Sequence, residues 1–172
     1  MKKTVHMHSR IRRALALLSV LAILFSLGCL AASAETVTDD VIELPEGVYY
    51  LEDGSYFVTE QIDAPQTRAS GTKTYSKVST YYTKQGEAQC ALKVTGTFSY
   101  NGSSVSCTNV TATTYVYDDS WKVENVSKSS TSGWVTTASA TASGEFVETF
   151  LFITVQRIPV SVTVTCDKNG QY

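Results

Sequence analysis

Histidine is nearly absent from the 172-residue chain, and both copies, His6 and His8, lie within the first eight residues. If that segment is removed on export, no imidazole remains for Ser-His-Asp or Cys-His catalysis, or for binding zinc or copper. Because the exported chain would lack histidine, we expect a protein that is not an enzyme, binds no cofactor and has no metal site. Helical periodicity is also absent after Leu30, so we expect no helix in the rest of the chain.

Basic residues are scarce outside the N-terminal segment. The chain has 14 Lys and Arg against 16 Asp and Glu, but five of the basic residues and none of the acidic ones lie in residues 1–34. The remainder therefore has a net charge of −7. An acidic balance disfavours binding to nucleic acid or to an anionic membrane surface.

Residues 1–34 have the three parts of a secretory signal peptide. Basic residues precede the apolar run 14–27, and Ala32-Ser33-Ala34 supplies the small residues that a signal peptidase reads. A helix of about 14 residues is too short to cross a hydrocarbon core of ~30 Å. We predict cleavage between Ala34 and Glu35 and a secreted, extracellular protein.

Cys29 provides an alternative for the N-terminus. Leu27-Gly28-Cys29 resembles the end of a lipoprotein signal, in which the cysteine is acylated and becomes the first residue. Membrane attachment is expected only in that case.

Charge divides the rest of the chain near Arg68. Residues 35–68 contain nine acids and one base, whereas residues 69–172 contain seven acids and eight bases. We therefore predict an acidic leader or spacer over 35–68 and a folded domain over 69–172. Asp53-Gly54, between two tyrosine-rich runs, predicts a hairpin with a two-residue turn within the leader.

From residue 69 onward the pattern is all-β. Residues 160–166 alternate strictly between apolar and polar, which puts three valines and Cys166 on one face, and Pro159 is expected to mark the start of this strand. Similar runs separated by turn residues predict a two-sheet sandwich. The other predicted strands are 72–83, 89–99, 104–117, 121–126, 134–142 and 146–156. The core candidates are Phe98, Trp121, Trp134, Ala138, Ala140, Phe150, Phe152, Ile153 and Val162.

The cysteines can be sorted by strand register. A two-residue turn at Asn101-Gly102 would put Cys107 opposite Gly96 and Cys90 opposite Thr113, roughly 20 Å from Cys107. A disulfide needs Cα atoms within about 7 Å, so these two are not expected to pair. Cys166 is then the expected partner of either Cys90 or Cys107.

The order and spacing of Cys107, Trp121 and Cys166 resemble the Cys-Trp-Cys core of immunoglobulin-type sandwiches. The resemblance implies an immunoglobulin-like sandwich with a Cys107–Cys166 disulfide against which Trp121 packs. A Cys90–Cys166 disulfide is the alternative.

A second resemblance covers more of the chain. It includes the signal, the acidic leader, the runs 70–74 and 94–102, Cys107-Thr108 and the valine-rich end at Cys166. These features resemble uncharacterised small secreted proteins of Gram-positive gut bacteria, which are inferred to be β-sandwiches. The resemblance implies bacterial export and a sandwich fold, and it implies no catalytic residue.

Tyr115 and Tyr117 are candidate surface-contact residues, because alternation puts them on the face opposite Val116. Asp118-Asp119 is expected to be a solvated turn, since a hard cation needs more oxygen ligands than this loop offers. We expect a secreted, non-catalytic protein that contacts an extracellular protein or glycan.

Two other functions fit the sequence. The first is a precursor whose acidic leader is cut near Arg68 to release a toxin-like or inhibitor-like β-domain. The second is a carbohydrate-binding module with an aromatic platform for sugar rings. The aromatic residues available for such a platform are Tyr81, Tyr82, Tyr115, Tyr117, Trp121 and Trp134.

Overall fold

The computed structural model describes residues 36–37, 41–62 and 71–172. The described residues contain no helix, which confirms the all-β class. The predicted signal peptide, its Ala34–Glu35 cleavage site and Cys29 lie outside the described residues. The strands are β1 (Thr36–Val37), β2 (Ile42–Glu43), β3 (Gly47–Tyr50), β4 (Tyr56–Ile62), β5 (Gly71–Tyr82), β6 (Ala88–Tyr100), β7 (Val105–Val116), β8 (Trp121–Ser130), β9 (Thr137–Phe150) and β10 (Ile153–Asp167).

The strands of the described residues form two sheets, as the sequence predicted, and each sheet has five strands. In the meander sheet the order is β3-β4-β5-β6-β7, so that consecutive strands are neighbours. In the hairpin sheet β8 pairs with β9 and β9 with β10, while the short strands β1 and β2 pair in parallel with β10. Immunoglobulin-type sandwiches use Greek-key connections between their sheets. That finer arrangement stays a prediction.

The core lies between the two sheets and is built by alternation. Phe98 and Val162 are fully buried and Trp121 nearly so, as predicted. Ala138 and Ala140 are buried where the sheets approach closely. The approach is tightest at Gly96, where a side-chain methyl would lie 2.8 Å from the Cβ of Ala140 and 2.7 Å from the ring of Phe98.

Four core candidates were wrong. The side chains of Trp134, Phe150, Phe152 and Ile153 are exposed. Trp134 belongs to the loop between β8 and β9, and the other three surround the turn between β9 and β10. The error comes from the strand boundaries: the sequence predicted a break at residues 143–145, whereas β9 continues through them.

Pro159 lies inside β10 and does not start a strand, contrary to prediction. Beside it, β1 pairs with β10 at Gln156 and Arg157, and β2 pairs with it at Val160 and Ser161. The proline therefore falls between the two short parallel strands. Such a position tolerates proline, because neither β1 nor β2 pairs with residue 159.

Residues 41–62, which charge assigned to an acidic leader, contribute strands to both sheets. β4 pairs with β5 over seven residues, from Tyr56 opposite Tyr82 to Ile62 opposite Ser76. Phe57 is fully buried. These residues are therefore part of the sandwich, while the predicted boundary at Arg68 lies outside the described residues.

The β3–β4 hairpin is present, but its turn has three residues rather than the predicted two. The N–H of Leu51 donates to the carbonyl of Ser55 at 2.8 Å, which leaves residues 52–54 in the turn. Gly54 has φ of 85°, a left-handed conformation that glycine adopts without steric cost.

The β6–β7 register differs from the prediction by at least two residues. Asn101 Oδ1 accepts hydrogen bonds from the N–H groups of Ser103 and Ser104 at 3.0 and 2.9 Å, so the turn centre moves to Gly102-Ser103. Cys107 therefore faces Phe98 rather than Gly96, and a bulge shifts Cys90 opposite Val116 rather than Thr113. Cys90 and Cys107 are still too far apart to bond, because nine strand residues span roughly 30 Å.

The predicted Cys107–Cys166 disulfide is absent: the three cysteines within the described residues are free thiols. Cys107 and Cys166 belong to different sheets, as the disulfide would require, but each thiol donates to a nearby carbonyl. Burial raises the pKa of the Cys166 thiol to about 11. Trp121 packs against Tyr81, with ring centroids 4.9 Å apart.

Candidate contact surface

Four turns lie at the same end of the sandwich, which we call the loop end. They connect β3 to β4, β5 to β6, β7 to β8 and β9 to β10. The strand registers fix this placement, since Tyr82 lies opposite Tyr56 and Val116 lies opposite Cys90. The candidate contact residues of the chain concentrate here.

Three tyrosines form a row across the meander sheet near the loop end. Tyr50 lies opposite Tyr56, and Tyr56 lies opposite Tyr82. Their ring centroids are 5.5 and 5.1 Å apart, and the planes of Tyr56 and Tyr82 differ by only 9°. The row is on the outer face, because the adjacent Phe57 and Tyr81 point into the core. Tyr50, at 69% exposure, opens the row to solvent.

Tyr115 and Tyr117 form a second aromatic group on the same end of the sheet. Their rings stack with centroids 6.5 Å apart and planes 7° apart, and both are exposed. Exposure of this pair agrees with the alternation argument, and its role in contact stays a prediction. Val116 between them is exposed as well, because β7 is the edge strand of the meander sheet.

Strand β6 separates the row from the pair. On β6, Ala91 lies between Thr80 on β5 and Tyr115 on β7. Ala91 alternates with the core residues Cys90 and Leu92 and so faces outward, yet its flanking side chains cover it completely. The two aromatic groups stand two strand spacings apart, about 10 Å. We call Tyr50, Tyr56, Tyr82, Tyr115 and Tyr117 the tyrosine surface.

A cleft of about 260 Å³ opens between the two sheets at the loop end. Tyr81 and Trp121 provide aromatic lining, and both are buried. The other lining residues are polar: Asp53, Ser55, Thr83, Lys84, Gln85, Gln89, Glu148 and Gln156. The cleft thus combines hydrogen-bonding groups with aromatic side chains.

The two carboxylates of the cleft experience different environments. The N–H and the hydroxyl of Ser55 donate to Asp53 Oδ1 at 3.0 and 2.5 Å, and the hydroxyl bond in particular lowers the pKa of Asp53. Burial, and then the charge of Asp118, raises the pKa of Glu148. Burial likewise raises the pKa of the Tyr81 phenol. At neutral pH the Asp53 carboxylate is charged and already hydrogen-bonded within its own turn.

Asp118 forms part of a turn stabilised by its own side chain. Its Oδ1 accepts from the N–H and the hydroxyl of Ser120 at 2.8 and 2.5 Å, and these bonds lower the pKa of Asp118. Across residues 41–62 and 71–172, no three His, Cys, Asp or Glu side chains cluster closely enough to hold a metal ion. In the same ranges no helix is long and apolar enough to span a membrane.

The structure divides the predicted aromatic platform. Tyr82, Tyr115 and Tyr117 share the outer face, whereas Tyr81 and Trp121 belong to the core. Trp134 is exposed but follows β8, at the end of the sandwich opposite the loop end. Tyr50 and Tyr56 were not among the predicted contact residues, because the charge distribution put them in the acidic leader. The feature of the sequence that could have identified them is the Asp53-Gly54 hairpin, because both tyrosines lie in its strands.

Comparison with protein-family models, curated proteins and solved structures finds no match to this chain.

Proposed function

We propose that the protein is a secreted, non-catalytic β-sandwich that binds an extracellular glycan on the tyrosine surface. The observation that carries the proposal is the solvent-facing row of Tyr50, Tyr56 and Tyr82, with the stacked pair of Tyr115 and Tyr117 two strands away on the same sheet. Export is supported by the signal-like composition of residues 1–34.

The chemistry of tyrosine suits this role. Each ring offers an apolar face on which the C–H face of a sugar can stack, and each hydroxyl can donate or accept a hydrogen bond. A tyrosine also has only two side-chain torsions to order on binding. Because the rings of Tyr56 and Tyr82 are already stacked, little further order is needed.

Beyond the tyrosines most outer-face side chains are polar and uncharged, and the two charged ones, Glu60 on β4 and Lys93 on β6, have opposite signs. Cross-strand hydroxyl pairs continue along β5 and β6, with Ser76 and Thr95 at 2.8 Å and Thr74 and Thr97 at 3.2 Å. A neutral glycan lying along the strands could exchange hydrogen bonds with these hydroxyls. We therefore propose a neutral glycan as the ligand class.

The precursor hypothesis receives less support from the strand pairing. Removing residues 35–68 would strip β4 from the side of β5 and take Phe57 out of the core. A β-domain beginning at Ala69 would then expose a long unpaired edge and an apolar cavity, which favours aggregation. We accordingly expect the mature N-terminus in a culture supernatant to be Glu35 rather than Ala69, which intact-mass measurement can determine.

Affinity electrophoresis in native gels cast with soluble neutral glucans tests glycan binding. We expect the wild-type protein to be retarded in at least one such gel, and Tyr56→Ala with Tyr82→Ala to migrate as in a gel without glycan. Trp134→Ala is the matched control, because it removes an exposed aromatic side chain at the opposite end. Circular dichroism should show that all variants remain folded.

Two results would count against the proposal. One is retardation that the tyrosine substitutions leave unchanged, which would place the glycan elsewhere. The other is no retardation by any neutral glycan, which would favour a protein as the partner of this surface.

A further inference from the structure

The β9–β10 hairpin ends in four consecutive large apolar side chains, residues 150–153. Phe150, Leu151, Phe152 and Ile153 are exposed at 66%, 74%, 103% and 66%. Single exposed apolar residues are ordinary on a protein surface, but a continuous group usually marks a contact site. We call these four residues the apolar tip.

The apolar tip projects beyond the neighbouring turn. The N–H and the hydroxyl of Thr149 donate to the carbonyl of Ser120 at 2.8 and 3.1 Å, which holds this end of β9 level with the β7–β8 turn. Residues 150–153 follow that contact and extend past it. The tip is therefore convex, a shape suited to entering an apolar medium rather than to enclosing a ligand.

The turn conformation does not explain the choice of these residues. Leu151 and Phe152 have φ of 48° and 69°, in the left-handed region that disfavours side chains with a Cβ. A two-residue turn of this kind ordinarily has Asn-Gly or Asp-Gly. Local folding would therefore favour small or polar residues at both positions, so that the apolar side chains require another explanation.

The charged side chains near the apolar tip limit the kind of surface that the tip can contact. Lys122 borders a depression that Leu151 and Phe152 also line, but its ammonium group forms an ion pair with Glu124 at 2.7 Å. Asp118 and Asp119 lie in the adjacent turn. These carboxylates would repel an anionic surface. They would not repel a surface without net charge.

We propose that the apolar tip inserts into the outer part of a zwitterionic lipid bilayer and holds the loop end against a membrane. Insertion at this depth places the four apolar side chains among acyl chains and leaves the charged turns at the headgroups. Burying one phenylalanine or leucine in apolar surroundings favours binding by roughly tenfold or more. Several such side chains together suffice for a reversible membrane contact.

Vesicle flotation with pure phosphatidylcholine tests the proposal. The protein would be expressed with Cys29→Ser and purified from the culture supernatant after intact-mass measurement confirms an N-terminus at Glu35, so that neither acylation nor the apolar run 14–27 can account for flotation. We expect this protein to float with the vesicles, and to float less when phosphatidylglycerol is added. The variant with Leu151→Asn and Phe152→Gly should partition at least tenfold less.

This variant also separates binding from folding. Asn-Gly fits the left-handed turn better than Leu-Phe, so the variant should melt no lower than the parent protein. Phe152→Leu, which keeps the apolar character, should retain flotation. Trp134→Ser, which removes an exposed aromatic residue at the other end, should also leave flotation unchanged.

Three results would overturn the proposal. The first is failure of the Cys29→Ser protein to float with phosphatidylcholine, and the second is equal flotation of the Asn-Gly variant. The third is self-association in sedimentation velocity without vesicles, abolished by the Asn-Gly variant, which would make a second copy of the chain the occupant of the tip.

Discussion

Replacing Phe57 by alanine tests whether residues 41–62 belong to the folded unit. Phe57 is fully buried, and its ring centroid lies 5.1 Å from that of Tyr81 and 5.9 Å from that of Phe146 in the other sheet. Truncating a buried phenylalanine costs the transfer free energy of the lost atoms and leaves a cavity, together about 3–5 kcal/mol. We expect a loss of this size, a large share of the ~5–15 kcal/mol of a typical domain.

Urea unfolding followed by tryptophan fluorescence measures the effect. Trp121 is a suitable reporter, because its indole packs against Tyr81, which also contacts Phe57. Val48→Ala, an exposed position on the adjacent strand β3, is the control and should change the free energy of unfolding by about 0.5 kcal/mol or less.

A loss below about 1 kcal/mol for Phe57→Ala would contradict the packing of Phe57 between the two sheets. It would mean that residues 41–62 detach from the sandwich at little cost. The acidic leader would then be a separate segment, as the charge distribution suggested.

Gly96→Ala should destabilise the protein by about 1–3 kcal/mol, because the added methyl would collide with Ala140; an unchanged melting temperature would contradict the close approach of the sheets. In the native protein, alkylation followed by mass spectrometry should modify Cys107 at least tenfold faster than Cys90, which is completely buried; equal rates would contradict this order. Burial raises the pKa of Glu148 in the folded state, so its contribution to stability is present at low pH and is lost as the pH rises through that pKa. Glu148→Gln should therefore be more stable than wild type at pH 7 but not at pH 3, as measured by the midpoints of urea unfolding. An equal difference in stability at the two pH values would exclude ionisation of Glu148 as its cause.

Alternation and turn residues in the sequence were enough to predict the all-β class and the positions of most strands. Strict alternation, as in residues 160–166, depends only on the period-two geometry of a strand, and each run displays it without reference to any other part of the chain. The hairpin around Asp53-Gly54 was readable for the same reason, because turn chemistry is local. The shared face of Tyr115 and Tyr117 also followed from local alternation.

How the strands combine into sheets could not be predicted from these local patterns. The row of Tyr50, Tyr56 and Tyr82 exists because β4 pairs with β5, although the charge distribution assigned these strands to different segments. Net charge reflects solvation, whereas strand pairing depends on which apolar faces can be buried together. The register of β6 and β7 depended on the side chain of Asn101, which moved the turn centre along the chain. Strand pairing brings together residues that are distant in sequence, and turn geometry sets the register of that pairing. Both depend on the folded chain as a whole and not on any local pattern.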